Sequence, residues 1–223
     1  MPRITVGIID SGFDPRLQAR VDAQAAFVVA DGGLYRQPVQ PDRLGHGSRV
    51  VRVIGSLAPS VRLVVAQVFG ERLSTTPSQV AAALRWMLEQ EVDLVNLSLG
   101  LRADRGPLRD ACKSALDAGF TLCAATPARG EAVYPAAYPG VLRTTGDARC
   151  GRDEWSVLNT RFADFGARVH TNDQRAAGAS IGTAHLSGHI AAYLAEGGSN
   201  TVTEIRDYLQ RHASYYGPER RTG

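Results

Sequence analysis

Four short apolar runs alternate with three segments of helical spacing, and that alternation limits what the chain can fold into. Residues 4–10, 61–68, 94–97 and 121–125 are rich in consecutive apolar and β-branched side chains, as strands covered on both faces must be. Between them, residues 46–57, 78–90 and 108–118 repeat apolar side chains at helical intervals. In the second of these, Val80, Ala83, Leu84, Met87 and Leu88 share one face. Pro77 stands just before it, suited to a helix start, and Gly119 closes the third. The βαβαβ order predicts an α/β protein with a three-layer α/β/α build around a mostly parallel central sheet. The chain has 223 residues and no internal repeat, low-complexity tract or linker. A single domain over residues 1–216 is expected, followed by a polar, disordered tail at 217–223.

Charge and cysteine usage narrow the function classes. The net charge is only +3, and the basic residues, arginines apart from Lys113, are scattered. With no basic run carrying interleaved aromatics, nucleic acid is not expected as a partner. The apolar run at residues 4–9 is too short for a signal peptide, and no segment is long enough to span a membrane, so no membrane partner is expected. Cys112, Cys123 and Cys150 form an odd set without metal-ligand spacing. They read as buried thiols in a reducing compartment, which predicts a cytoplasmic protein.

In such a sheet, functional residues collect at the carboxyl ends of the strands. Asp10 ends the first strand and precedes Ser11-Gly12, and His46 lies in Gly45-His46-Gly47-Ser48. A third glycine-containing stretch is Gly182-Thr183-Ala184-His185-Leu186-Ser187-Gly188-His189. These segments resemble the boxes of subtilisin-like serine peptidases. Val6-Gly7-Ile8-Ile9-Asp10-Ser11-Gly12 is similar to that family's Asp box. Gly45-His46-Gly47-Ser48-Arg49-Val50 is similar to its His box, with Ser48 for the usual Thr. Val95-Asn96-Leu97-Ser98-Leu99-Gly100 resembles the segment that pairs with the substrate backbone. Tyr134-Pro135-Ala136 and Tyr138-Pro139-Gly140-Val141 resemble the Tyr-Pro region beyond the specificity pocket. Phe162-Ala163-Asp164-Phe165-Gly166 resembles the turn before the Ser box. The stretch from Gly182 resembles the Gly-Thr-Ser-x-x-x-x-His signature of the nucleophile helix, with Ala184 at the serine's place. The order Asp, His, nucleophile is the family's own.

The resemblance implies roles and departures. His46 would be the general base, because a serine hydroxyl attacks only when its proton is accepted. Asp10 would hold the imidazole in the right tautomer. Ala184 keeps a backbone N–H for the oxyanion but has no hydroxyl, so the chain reads as an inactive serine endopeptidase, slower by about a millionfold. The family's second oxyanion donor is an asparagine side chain. Its nearest counterpart here is Pro127, which has no donor, with the Thr126 hydroxyl beside it. Two histories account for Ala184. A serine replaced to silence the enzyme is preferred because Asp10 and His46 are retained; a native pseudopeptidase that binds peptides without cutting is favoured by Pro127.

Ser98, Leu99, Gly100, Tyr134, Pro135 and Ala136 are expected to hold a peptide or protein substrate, taken as an added strand. Ala128 and Ala136 imply a moderately open, uncharged specificity pocket. His189 matches the family's structural helix histidine, Ser187 reads as a packing residue, and His170 and His185 read as surface or pocket-rim residues. No cofactor and no metal are expected. Residues 55–59 are too short for the calcium loop of many secreted members, and no pro-segment precedes the first strand. A nucleotide-binding reading fails on the lack of a Gly-rich phosphate loop after the first strand. The oligomeric state is not assigned.

Overall fold

The computed structural model describes residues 3–170 and 178–219. Its strands are β1 (Thr5–Asp10), β2 (Ala23–Ala30), β3 (Gly33–Gln37), β4 (Arg62–Gln67), β5 (Leu94–Leu97), β6 (Thr121–Ala125), β7 (Leu142–Gly146), β8 (Trp155–Val157), β9 (Phe165–Ala167) and β10 (Tyr215–Tyr216). They form one sheet in the order β10-β8-β9-β7-β6-β5-β1-β4-β2-β3. Only the β2–β3 and β8–β9 pairs are antiparallel. The helices are α1 (His46–Leu57), α2 (Pro77–Glu89), α3 (Gly106–Asp117), α4 (Ala179–Ala195) and α5 (Val202–Arg211).

The two faces of the sheet explain why its central strands are apolar throughout. Val6 and Ile8 of β1 pack with Val50 and Ile54 of α1 and Leu186 and Ile190 of α4. Ile9 points the other way, into a cluster with Val80, Leu84 and Met87 of α2 and Leu108 of α3. Alternate side chains thus enter opposite cores, and neither set tolerates a polar group. Helix α2 starts where it does because the Thr76 hydroxyl accepts from the Gln79 N–H while the Gln79 side chain accepts from the Thr76 N–H, and Pro77 fills the first turn. Helix α4 differs from the rest in being enclosed all round. Every residue from 181 to 191 is buried.

Helix α1 spans the predicted residues, and β5 and β6 match their predicted runs. The β2–β3 hairpin, absent from the sequence reading, turns through Asp31 and Gly32 at φ of 49° and 76°. Strands β4 and β5 lie on opposite sides of β1, so the connections diverge there and open a crevice at the carboxyl ends. At the far end, the expected tail does not begin at 217. The Gly217 N–H donates to the Val157 carbonyl at 2.8 Å, and Arg149 donates to the Gly217 carbonyl at 2.8 Å. Residues 220–223, the rest of that expectation, lie outside the described residues. No described helix is long and apolar enough to cross a membrane.

Candidate active site

Asp10 closes β1 at the crevice and is wholly buried. Its Oδ1 accepts from the Ser11 N–H at 2.7 Å and from His46 Nδ1 at 2.7 Å. The ring's Nδ1 therefore carries the proton, and Nε2 is left as the acceptor. His46 is the first residue of α1, which is capped by Gly45 in the left-handed region at φ 66°. The backbone of the next residue touches the β1 loop: a Cβ on Gly47 would lie 2.1 Å from the Gly12 carbonyl oxygen. Gly47 is thus needed for main chain to meet main chain, and Gly12 and Gly45 for backbone at φ of 91° and 66°. Burial works against a charged imidazole at His46, but the hydrogen bond and charge of Asp10 outweigh it and raise its pKa above 6.5.

Ala184, the third residue that the sequence singles out, does not share this crevice. Ala184 is the sixth residue of α4, has no exposed surface and belongs to the apolar cluster of Ile8, Val50 and Leu186. It does not line the cleft that holds His46, and its backbone N–H, in the helix interior, is committed to the helix ladder rather than open to an oxyanion. One turn earlier, Ser180 is the second residue of α4 and lines that cleft together with His46. The first intrahelical bond runs from the Gly182 N–H to the Gly178 carbonyl. The N–H groups of Ala179, Ser180 and Ile181 therefore have no acceptor within the helix, and they carry its positive end. Gly182 has a separate duty: a Cβ there would meet the Thr145 carbonyl oxygen at 2.5 Å.

The cleft measures about 430 Å³ and is lined by His46, Phe69, Leu73, Ser98, Leu99, Gly100 and Ser180, among others. The segment Ser98-Leu99-Gly100 thus shares the cleft with His46. Tyr134 touches this segment through two main-chain bonds with Leu101, at 2.7 and 2.8 Å. Thr126 and Ala136 face a separate cavity of about 590 Å³ with Val133 and Tyr138, and Ala128 faces another with Thr145. None of Thr126, Pro127, Ala128, Tyr134, Pro135 and Ala136 lines the cleft itself. Among the described residues, no group of three or more His, Cys, Asp or Glu side chains is placed to hold a metal ion.

A buried polar chain fastens Ser180 to the sheet. The Ser180 hydroxyl donates to the Ser98 carbonyl and the Ser98 hydroxyl to the Ser180 carbonyl, each at 3.0 Å. Asn96, wholly buried on β5, donates to the Ser98 hydroxyl at 2.9 Å and accepts from the Ser187 hydroxyl at 3.0 Å. Ser187 is therefore a link in this chain as well as a packing residue. Asn96→Ala takes the acceptor from the buried Ser187 hydroxyl and a donor from the Ser98 hydroxyl, so it is expected to destabilise the fold by about 1–3 kcal/mol. A lowered melting temperature checks it; unchanged melting would show that the chain contributes nothing.

His185, expected at the surface or pocket rim, is 5% exposed with its Nδ1 unpartnered among the described residues, whereas His170 is exposed. His189 is also buried, against the Trp155 ring at 4.9 Å. Burial, and then the neighbouring His189 and Arg168, push the His185 pKa from 6.5 down to about 4. An unfolded chain would bind a proton below pH 6.5 that the folded chain refuses until about 4. Stability is then complete above that window and is lost as pH falls through it, by about 3 kcal/mol from this group. Melting curves between those limits should show the fall, and His185→Leu should flatten it; an equal slope in the variant would exclude His185 as the cause.

Comparison with known proteins places this geometry. The family model described as "Subtilase family" matches residues 2–223. Thermostable alkaline protease of Halalkalibacterium halodurans is 26% identical over 231 residues, which cover 95% of this chain and 62% of that protein. The chain thus spans less than two thirds of that relative's length. Subtilisin Savinase of Lederbergia lenta is 25% identical over 239 residues, covering 96% of this chain and 84% of that one. The solved structure of a cold adapted subtilisin-like serine proteinase matches with a TM-score of 0.72 at 23% identity, covering 95% of this chain and 82% of that one.

Proposed function

The chain belongs to the subtilase family, and from that premise we propose that it is a serine endopeptidase whose nucleophile is Ser180. One observation carries the reading: Ser180, at the amino end of a helix, shares a cleft with His46, whose ring is held by buried Asp10. A peptide lies as an added strand along Ser98-Leu99-Gly100. For attack, the Ser180 hydroxyl exchanges the Ser98 carbonyl for His46 Nε2, which takes its proton and later gives it to the leaving amine. Asp10 stabilises the imidazolium formed in between. The N–H of Ser180, which has no acceptor within its helix, faces the oxyanion, aided by the positive end of α4. Under this reading Ala184 is a core residue and says nothing about a silenced enzyme. The substrate is a peptide or protein, and the three buried, unpaired cysteines support a reducing, cytoplasmic setting.

The test is labelling of the unaltered chain by a fluorophosphonate probe, with the adduct located by mass spectrometry and cleavage screened on a peptide library. An adduct on Ser180 with cleavage supports the proposal. No adduct and no cleavage would overturn it in favour of a peptide-binding pseudopeptidase, which the absence of Thr126 and Pro127 from the cleft favours. A pH profile gives a second expectation. The base works only when neutral, and Asp10 raises the His46 pKa, so the acid limb of kcat/KM should lie above pH 6.5. A limb below that value would contradict the Asp10–His46 coupling.

A further inference from the structure

The loop before α1 is organised around one carboxylate, Asp42. Its Oδ1 accepts from the Leu44 N–H at 3.1 Å, the Gly45 N–H at 2.8 Å and the Ser11 hydroxyl at 2.8 Å. Its Oδ2 accepts from the Ser48 N–H at 2.8 Å and the Ser48 hydroxyl at 2.6 Å. These donors bracket His46 on both sides in the chain. The two hydroxyls carry the clamp further. Ser11 Oγ accepts from the Gly47 N–H at 2.9 Å, and Ser48 Oγ accepts from the Asp14 N–H at 2.9 Å. The segment from Ser11 to Asp14, directly after Asp10, is therefore bound through Asp42 to the segment from Leu44 to Ser48 around His46.

We propose that Asp42 is a positioning residue: by tying the segment after Asp10 to the turn around His46, it fixes the imidazole relative to both Asp10 and Ser180. The chemistry requires an ionised carboxylate. Five donors converge on its two oxygens, which offer about four lone-pair sites. An asparagine has one acceptor oxygen, and its amide N–H would oppose either the Ser48 pair or the three donors at Oδ1. A glutamate would overreach the loop by a methylene. A plain helix cap would need only the bonds to Ser48, whereas the bonds through Ser11 to Gly47 have no use in capping. Catalysis responds steeply to such placement, since an error of about 1 Å in a reacting group can cost a hundredfold.

The inference rests on the peptidase reading, and its experiment separates the two. Asp42→Asn is compared with the unaltered chain after titrating competent sites with the fluorophosphonate, so that misfolded material does not count. Turnover per competent site should fall about tenfold to a hundredfold with KM little changed. The acid limb should move to lower pH, because the charges facing His46 are Asp10 from β1, Asp42 from the loop and Arg49 from α1, and one negative charge is lost. Turnover within about twofold of the unaltered chain and an unmoved limb, whatever the melting temperature, would reduce Asp42 to a helix cap. If Asp42→Asn does not fold, Ser11→Ala removes one link of the clamp and is judged on turnover per competent site alone. If the unaltered chain itself is not labelled, the peptidase reading fails. Asp42 is then judged by the His46 imidazole titration in NMR spectra, which should shift in Asp42→Asn and would stay in place if the clamp does not act on the ring.

Discussion

Ser180→Ala is expected to lower turnover by about a millionfold and to abolish fluorophosphonate labelling. It removes the hydroxyl that donates to the Ser98 carbonyl from a residue lining the same cleft as His46. The stability cost should be small, about 1 kcal/mol for the lost bond to Ser98. Ala184→Ser is its counterpart and should behave in the opposite way. A hydroxyl at a position with no exposed surface, inside the cluster of Ile8, Val50 and Leu186, costs about 1–3 kcal/mol of stability. Turnover per folded molecule should not change. Kinetics and thermal melts on the two variants therefore give crossed results. Labelling that persists in Ser180→Ala, or that first arises in Ala184→Ser, would show that the nucleophile has been misplaced.

Asp10→Asn is the second large effect, expected at about ten-thousandfold in kcat near neutral pH. Oδ1 receives two donors, the Ser11 N–H and His46 Nδ1–H. An asparagine that keeps its oxygen there must bury an amide NH₂ at the place of Oδ2, which has no partner among the described residues. If the amide turns the other way, its N–H forces the proton of His46 onto Nε2, where it blocks acceptance of the Ser180 proton. Either arrangement also loses the charge that favours imidazolium. The check is kcat for a peptide substrate, normalised to folded protein; a loss of less than about tenfold would mean that Asp10 does not orient the base.

The parts of this molecule that were legible in the sequence are those with a single physical reading. Strands covered on both faces are apolar along most of their length, so β1, β4, β5 and β6 stood out. Asp10 and His46 were legible because glycines flank them, Gly47 for a main-chain contact and Gly12 and Gly45 for positive φ. The register of α4 was not. Gly178 precedes His185 by seven residues (185 − 178), and Gly182 precedes His189 by the same seven (189 − 182). The two histidines sit one helical turn apart, so the pattern matches itself after a shift of four. An amphipathic helix would have settled the choice through its polar face, but α4 is enclosed on all sides and carries no phase. The β2–β3 hairpin was missed although Asp31-Gly32 is a strong turn signal, because Val28, Val29, Leu34 and Tyr35 are partly exposed and give no clean alternation. Asp42 was silent for a different reason. Its partners include Ser11, 31 positions away, and a lone aspartate in a loop announces nothing until the chain is folded.

The enclosure of α4 has a consequence for how such a molecule is made. Asp10 and His46 leave the ribosome well before Ser180, which follows His46 by 134 residues (180 − 46). Its helix is enclosed between α1 and the sheet, so it cannot settle until those layers exist to receive it. The hydroxyl and the base therefore meet only as this helix docks. Under the peptidase reading, a polypeptide still in synthesis, or one that stalls with its centre open, holds the parts of a peptidase without being one, and its neighbours are spared until α4 has docked.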